Sequence, residues 1–408
     1  MTSDTRMLRV TLHGRVVGHL RRHGNVSWFD FDEQYLADPD RPVLGLNFEE
    51  NPTAAVRGTN RLPVWFSNLL PEGVLREWIA RDLDVSVDRE FELLAHVGHD
   101  LPGAAVFTEV DSDDRELPTA AVEETGNAAR DESSLWRFSL AGVELKFSML
   151  RAGERFTCPA HGADGDWIAK LPGTTFPGLP ANEFAMMSLA RAVGIDVPEI
   201  RMVHRDQLHG LPANAWRSAE EWAYAVKRFD RNADGSRKHI EDLAQIRSMY
   251  PDDKYLGNYE TVAGLLYRGH DIESLREFAR RLALFVVIGN GDAHLKNWSV
   301  LYSDPRSPRI SPAYDIVATA MYNPDGSSAE QLSLKLNGAR RFESIRLADF
   351  ERVERKLHAQ GAALAEVVRD LIAVVPAAWE EIRAVSSIDS TDAEMITRTV
   401  AERCRQLR

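Results

Sequence analysis

The chain opens on strand patterning. Residues 8–12 alternate apolar and polar, residues 26–31 are β-branched and aromatic, and Gly14 and Gly18 punctuate the stretch between. The turn signal Leu70-Pro71-Glu72-Gly73 precedes a helical segment over 75–83, and apolar periodicity resumes at 91–97 and stops at Gly98. From 109 to 134 the apolar residues give way to Asp, Glu, Ser and Thr, the composition of a linker. Order returns with Trp136-Arg137-Phe138-Ser139-Leu140 and breaks at the small pair Ala141-Gly142. A strand at 167–171 runs into a Gly/Pro-rich loop, 172–180, after which Asn182 starts a helix over 183–193 that ends at Gly194. Residues 223–229 read as another strand. From Leu243 onward the pattern is mostly helical, with Arg276, Arg280 and Arg281 facing outward from a helix over 272–284 and a tail of packed helices from Leu347. No internal repeat is visible.

Bulk properties narrow the class. A chain of 408 residues suggests two or three domains, and 44% apolar and 27% charged residues are ordinary for a globular protein. A formal charge of -13 argues against gripping nucleic acid as the main task, while leaving room for a local basic patch or a basic partner. Cys158 and Cys404 lie too far apart to make a framework, which suits a reducing cytoplasm. Cys158 and His161 form a C-x-x-H with no second ligand pair, short of a structural zinc set. The polar N-terminus shows no secretory signal, and the longest apolar run, 282–288, is too short to span a bilayer, so the expectation is a cytoplasmic protein without a membrane partner.

The chemistry concentrates in Gly291-Asp292-Ala293-His294-Leu295-Lys296-Asn297, followed by Tyr314-Asp315. An Asp, four residues and an Asn is the spacing of a phosphoryl-transfer catalytic loop, and a later Asp would add a hard oxygen ligand for magnesium. A polar turn between a helix and a strand has the same look. Upstream, Lys170 at a strand end and Glu183 on the following helix have the order of the lysine–glutamate pair that holds nucleotide phosphates; the alternative is a surface lysine beside a first-turn glutamate favouring the helix dipole. Ser139-Leu140-Ala141-Gly142-Val143-Glu144-Leu145-Lys146 sits where a phosphate-covering loop belongs, or is a plain hairpin turn. Lys227-Arg228-Phe229-Asp230-Arg231 would be a hinge whose backbone meets an adenine and whose Phe229 packs on it, or a strand end with solvated charges.

In this order, and with Phe66-Ser67-Asn68-Leu69-Leu70-Pro71-Glu72-Gly73 and Leu94-Ala95-His96-Val97-Gly98 before them, these motifs resemble the HipA family of bacterial serine/threonine kinases, the toxins of type II toxin–antitoxin modules. The resemblance spans nearly the full length. It implies an α+β, protein-kinase-like two-lobed fold with an N-terminal β-rich subdomain and an all-α C-terminal lobe. The expected parts are an N-terminal subdomain at 1–108, an acidic linker at 109–134, a small-lobe-like region at 135–232 and a helical lobe at 233–408.

It further implies ATP and Mg2+ as cofactors and Asp292 as the catalytic acid/base residue. Asn297 and Asp315 would hold the metal, Lys170 and Glu183 would serve the phosphates, and His294, Lys296 and Tyr314 would lie near the nucleotide. Ala141, Gly142, Val143, Glu144 and Lys146 would cover the phosphates, with Lys227 and Phe229 at the hinge. Ser139 matches the serine whose autophosphorylation switches family members off. The implied partners are a HipB-like helix-turn-helix antitoxin, operator DNA reached mainly through it, and an aminoacyl-tRNA synthetase of the glutamate–tRNA ligase type as substrate. Two departures stand out: residues 155–166 are long and polar, and Lys227 occupies a hinge position where an acid is familiar. A catalytically weak co-repressor and a small-molecule phosphotransferase are the alternatives.

Overall fold

The computed structural model describes residues 5–110, 145–159, 164–212, 214–322 and 331–408. Ser139, Ala141, Gly142, Val143, Glu144 and His161, and the strand expected around Trp136, lie outside the described residues.

The N-terminal alternation becomes a five-stranded antiparallel sheet in the order β4-β3-β2-β1-β5. Its strands are β1 (Thr5–Leu12), β2 (Arg15–His23), β3 (Val26–Phe31), β4 (Val56–Thr59) and β5 (Ala105–Val110). Leu8, Val10 and Leu12 of β1 are fully buried, as a period of two requires. β5 runs to Val110, past the expected subdomain edge at 108. Five helices pack around this sheet: α1 (Glu33–Ala37), α2 (Leu46–Glu50), α3 (Val64–Ser67), α4 (Gly73–Asp82) and α5 (Glu90–Val97). Gly98 ends α5 because nothing larger fits. A Cβ there would fall 2.6 Å from both the Leu94 carbonyl oxygen and the Phe107 Cβ.

The second body is a six-stranded sheet, order β10-β7-β6-β8-β11-β9, with one long helix. It comprises β6 (Lys146–Ala152), β7 (Arg155–Thr157), β8 (Trp167–Lys170), β9 (Ile200–His204), β10 (Leu208–His209), β11 (Trp222–Lys227) and α6 (Leu179–Ala192). The register sets Lys170 opposite Lys146 on one side and Tyr224 on the other. Two lysines therefore stand side by side at one end of two neighbouring central strands.

The third body is mostly helical: α7 (Leu243–Ile246), α8 (Tyr259–Tyr267), α9 (Ile272–Ile288), α10 (Leu347–Lys356), α11 (Leu364–Val385) and α12 (Ser390–Gln406). It corrects the expectation of an all-α lobe. β12 (His239–Asp242), β13 (Ser299–Tyr302) and β14 (Arg309–Ile310) form a three-stranded sheet, and β15 (Gln331–Leu336) pairs with β16 (Ala339–Arg341). α9 runs through the centre of this body, with Phe278, Leu282 and Val286 fully buried. Arg281 was expected to face outward, yet it is buried, donating 2.8 Å to Glu277 Oε1 and 2.6 Å to the Ser311 carbonyl. Among the described residues, no helix is long and apolar enough to cross a membrane.

Candidate active site

α6 begins at Leu179, three residues before the expected Asn182, after Gly178 in the left-handed region and with Pro180 in the first turn. Glu183 therefore lies beyond the first turn, and it is buried, so a dipole-favouring surface carboxylate is not its role. It receives the Lys170 ammonium at 2.5 Å. Lys170 also donates to Asp315, and Lys146 stands 3.8 Å from the other Asp315 oxygen. Asp315 adopts φ 55°, a region that a non-glycine residue enters at a cost of order 1–3 kcal/mol and that clusters at functional sites. Burial would raise its carboxyl pKa, but the positive charges of Lys170 and Lys146 hold it well below the usual carboxylate range.

α9 stops at Gly289, in the left-handed conformation common at helix ends, and the chain turns into the Asp292 loop. Asn290 braces the turn by accepting from the Asp292 amide at 3.0 Å, and Thr319 accepts from Gly291 N at 2.8 Å. Tyr255 donates its hydroxyl to Asp292 Oδ1 at 2.8 Å. The Asn297 amide nitrogen closes the loop onto the Asp292 carbonyl at 2.8 Å, which leaves its side-chain oxygen as the atom to offer a cation.

His294 is 1% exposed, lies edge-on to the Tyr255 ring at 5.0 Å, and neither ring nitrogen has a hydrogen-bond partner. Burial first, then the charges of Lys254 and Lys296, lower its pKa well below the ordinary value, so the imidazole is neutral. Lys296 gives its ammonium to the Asn68 carbonyl at 2.8 Å and to Asp242 at 2.7 Å, which ties it to protein groups in this arrangement. Tyr314 donates to the Lys296 carbonyl at 2.9 Å and sets its ring 5.9 Å from Phe229.

A cleft of about 470 Å³ gathers these groups. Lys146, Lys170, Lys227, Phe229, His294, Lys296, Asn297, Tyr314 and Asp315 all line it. Ile168 and Val226 add an apolar wall, the mixture expected where a nucleotide's base and phosphates lie together. Glu183 and Asp292 are not among the lining residues; they stand behind Lys170 and beside Asn297 respectively. A larger polar cleft, about 980 Å³, opens elsewhere between the N-terminal subdomain and residues 250–252 and holds none of these residues.

Among the described residues, no three His, Cys, Asp or Glu side chains cluster as a self-sufficient metal site. One carboxylate from Asp315 and one amide oxygen from Asn297 suit magnesium, which is commonly bound by one or two protein groups and completed by phosphates and water.

The hinge charges are not solvated. Arg228, Asp230 and Arg231 are buried, and Arg228 and Arg231 both reach Asp100 of the N-terminal subdomain, at 2.5 and 3.0 Å. Asp230 accepts from the Gly103 amide at 2.8 Å. Lys227, by contrast, is exposed. Sequence reasoning also missed Tyr255 and the placement of Asn68 and Glu72 on the cleft wall. The Asn68 to Gly73 motif was visible, but nothing in it signals contact with a loop more than two hundred residues away.

The HipA N-terminal domain family matches residues 8–108, and the HipA-like C-terminal domain family matches residues 138–379, more than half of the chain. The chain belongs to the HipA family. Among its relatives is Y4dM of Sinorhizobium fredii, a protein provisionally called a kinase, 38% identical over 385 residues that cover 92% of this chain and 91% of Y4dM. The serine/threonine-protein kinase toxin HipA of Shewanella oneidensis is 26% identical over 377 residues, covering 79% of this chain and 81% of its own. In the solved complex of Shewanella oneidensis MR-1 HipA, HipB and operator DNA, one chain superposes with a TM-score of 0.76 at 20% identity, covering 98% of this chain and 97% of that one. That likeness establishes the shared HipA fold. Kinase activity is present within the family.

Proposed function

We propose that this protein is an ATP- and Mg2+-dependent serine/threonine protein kinase acting as the toxin of a toxin–antitoxin module. The observation that carries the reading is that Lys170 and Asp315 pair within one cleft, with buried Glu183 holding Lys170 from behind and the Asp292–Asn297 loop beside them. Lys170 and Lys146 offer positive charge to the nucleotide phosphates. Asn297 and Asp315 would hold magnesium, which when bound neutralises charge on the β- and γ-phosphates. Asp292 accepts the proton of the acceptor hydroxyl as its oxygen bonds to the γ-phosphorus and the bond to ADP breaks.

The family supports the wider assignment. A relative is named as a serine/threonine kinase toxin, and a structural neighbour was solved with HipB and operator DNA. We therefore propose a HipB-like helix-turn-helix partner through which the acidic chain reaches operator DNA. An aminoacyl-tRNA synthetase of the glutamate–tRNA ligase type is the proposed substrate, and Ser139 the proposed site of self-inactivation. Purified protein with labelled ATP and magnesium tests the enzyme: transfer is expected from wild type and absent from Asp292→Ala, and equal inactivity of the two refutes it. Phosphoproteomics after expression of wild type beside Asp292→Ala then identifies the substrate.

A further inference from the structure

The stretch Asn68-Leu69-Leu70-Pro71-Glu72-Gly73 leads into α4 and has no task in the chemistry above, yet it touches the catalytic loop from two directions. Glu72 Oε2 holds the Lys254 ammonium at 2.5 Å, and Lys254 is 5% exposed. The same ammonium lies 5.8 Å from the centre of the Tyr255 ring, and the Lys254 carbonyl accepts from Leu295 N of the catalytic loop at 3.1 Å. Tyr255 then donates to Asp292. On the other side, the carbonyl and side-chain oxygens of Asn68 receive Lys296 at 2.8 and 3.1 Å, while the Asn68 amide donates to the Met249 carbonyl at 2.8 Å.

We infer that Tyr255 is a positioning residue for Asp292, and that Glu72 and Asn68 of the N-terminal subdomain hold Tyr255 and the catalytic loop in place through Lys254 and Lys296. The inference rests on the kinase reading and names the contacts that hold its catalytic loop in place. A directed hydroxyl bond restrains the plane of a carboxylate carried on a loop. Productive geometry tolerates little error, because a displacement of about 1 Å costs on the order of a hundredfold in rate. Lys254 is well suited as the intermediary. Buried between a carboxylate and an aromatic face, it keeps its charge compensated and pins the Tyr255 ring from one side while His294 meets it edge-on. The N-terminal subdomain thereby completes the active site without touching the nucleotide's reacting atoms.

The test uses the full chain as wild type, Tyr255→Phe, Glu72→Gln and, as a control, Asp88→Asn on the exposed side of the same subdomain. Label from ATP is followed into the protein itself and into a cleared bacterial extract. The maximal rate and the half-saturating ATP concentration are both measured, beside binding of a fluorescent ATP analogue. Tyr255→Phe is expected to lower the maximal rate about ten- to a hundredfold and Glu72→Gln about tenfold, with half-saturation and analogue binding within about twofold of wild type. Asp88→Asn should match wild type. Active wild type with both variants unimpaired overturns the inference alone, as does a rate loss matched by an equal loss of nucleotide binding. Inactive wild type overturns the kinase reading and this inference with it. Should Glu72→Gln melt well below wild type, Tyr255→Phe, which keeps the ring and its packing, decides.

Discussion

Glu241 allows a stability prediction with its sign and size worked out. The side chain is fully buried on β12, accepting from Trp65 Nε1 at 2.8 Å, Leu46 N at 3.0 Å and the Tyr302 hydroxyl at 2.5 Å. Trp65 and Leu46 belong to the N-terminal subdomain and Tyr302 to the C-terminal lobe, so the carboxyl is a three-way joint. Burial, opposed by those three donors, pushes its pKa up to about 7 from the ordinary 4.5. A carboxyl whose folded pKa is raised binds its proton more tightly when folded. Its contribution is complete below pH 4.5 and is lost as pH rises through 7. At about 1.4 kcal/mol per pKa unit, the loss is about 3 kcal/mol. Glu241→Gln removes the titration, so urea denaturation of both proteins at pH 4, 5, 6, 7 and 8 should show the wild-type advantage shrinking by about 3 kcal/mol across the series. A difference between the two that stays constant with pH, or grows as pH rises, refutes the reasoning.

Lys170→Met removes the ammonium that pairs with buried Glu183, so stability should fall by about 3–5 kcal/mol and nucleotide binding should be lost; a melting temperature equal to wild type would contradict the pairing. Asp230→Ala leaves buried Arg228 and Arg231 sharing Asp100 and should destabilise the fold by up to about 3–5 kcal/mol, measured by chemical denaturation. Burial opposes ionisation of Asp230, but Arg228 and Arg231 keep its carboxyl below the ordinary 3.8, so its contribution is full above that pH and disappears as pH falls through the folded value. Wild type and Asp230→Ala should accordingly converge in stability under acid.

How much of this could be read in advance depended on sequence distance. β1 and β3 were legible because buried positions recur along each strand and the pattern survives in the residues, whereas β2 carries no such clean alternation. The start of α6 was missed because Leu179 and Pro180 end a Gly/Pro-rich run, and a proline suited to a first helical turn looks like loop. β12, read as His-Ile-Glu-Asp, carries no strand signature; its pairing with β13 and its burial make it one. Arg281 looked solvent-facing because its charge is visible in the sequence and its partners, Glu277 and the Ser311 carbonyl, are not. The order of Lys170, Glu183, Asp292, Asn297 and Asp315 was legible as a set. The contacts of Tyr255 with Asp292 and of Asn68 with Lys296 span 37 and 228 residues, and only the folded chain brings them together.

The way the N-terminal subdomain is fastened also decides where this chain can be cut. Residues 138–379 match one family domain by themselves, but Arg228 and Arg231 reach across to Asp100, Lys254 to Glu72, Lys296 to Asn68, and Glu241 to Trp65 and Leu46. Severing the first hundred residues would strip Lys254 of its carboxylate, take from Arg228, Arg231 and Lys296 a partner each, and leave Glu241 with one of its three donors. The C-terminal portion is thus built to stay joined to the subdomain that lines its seams.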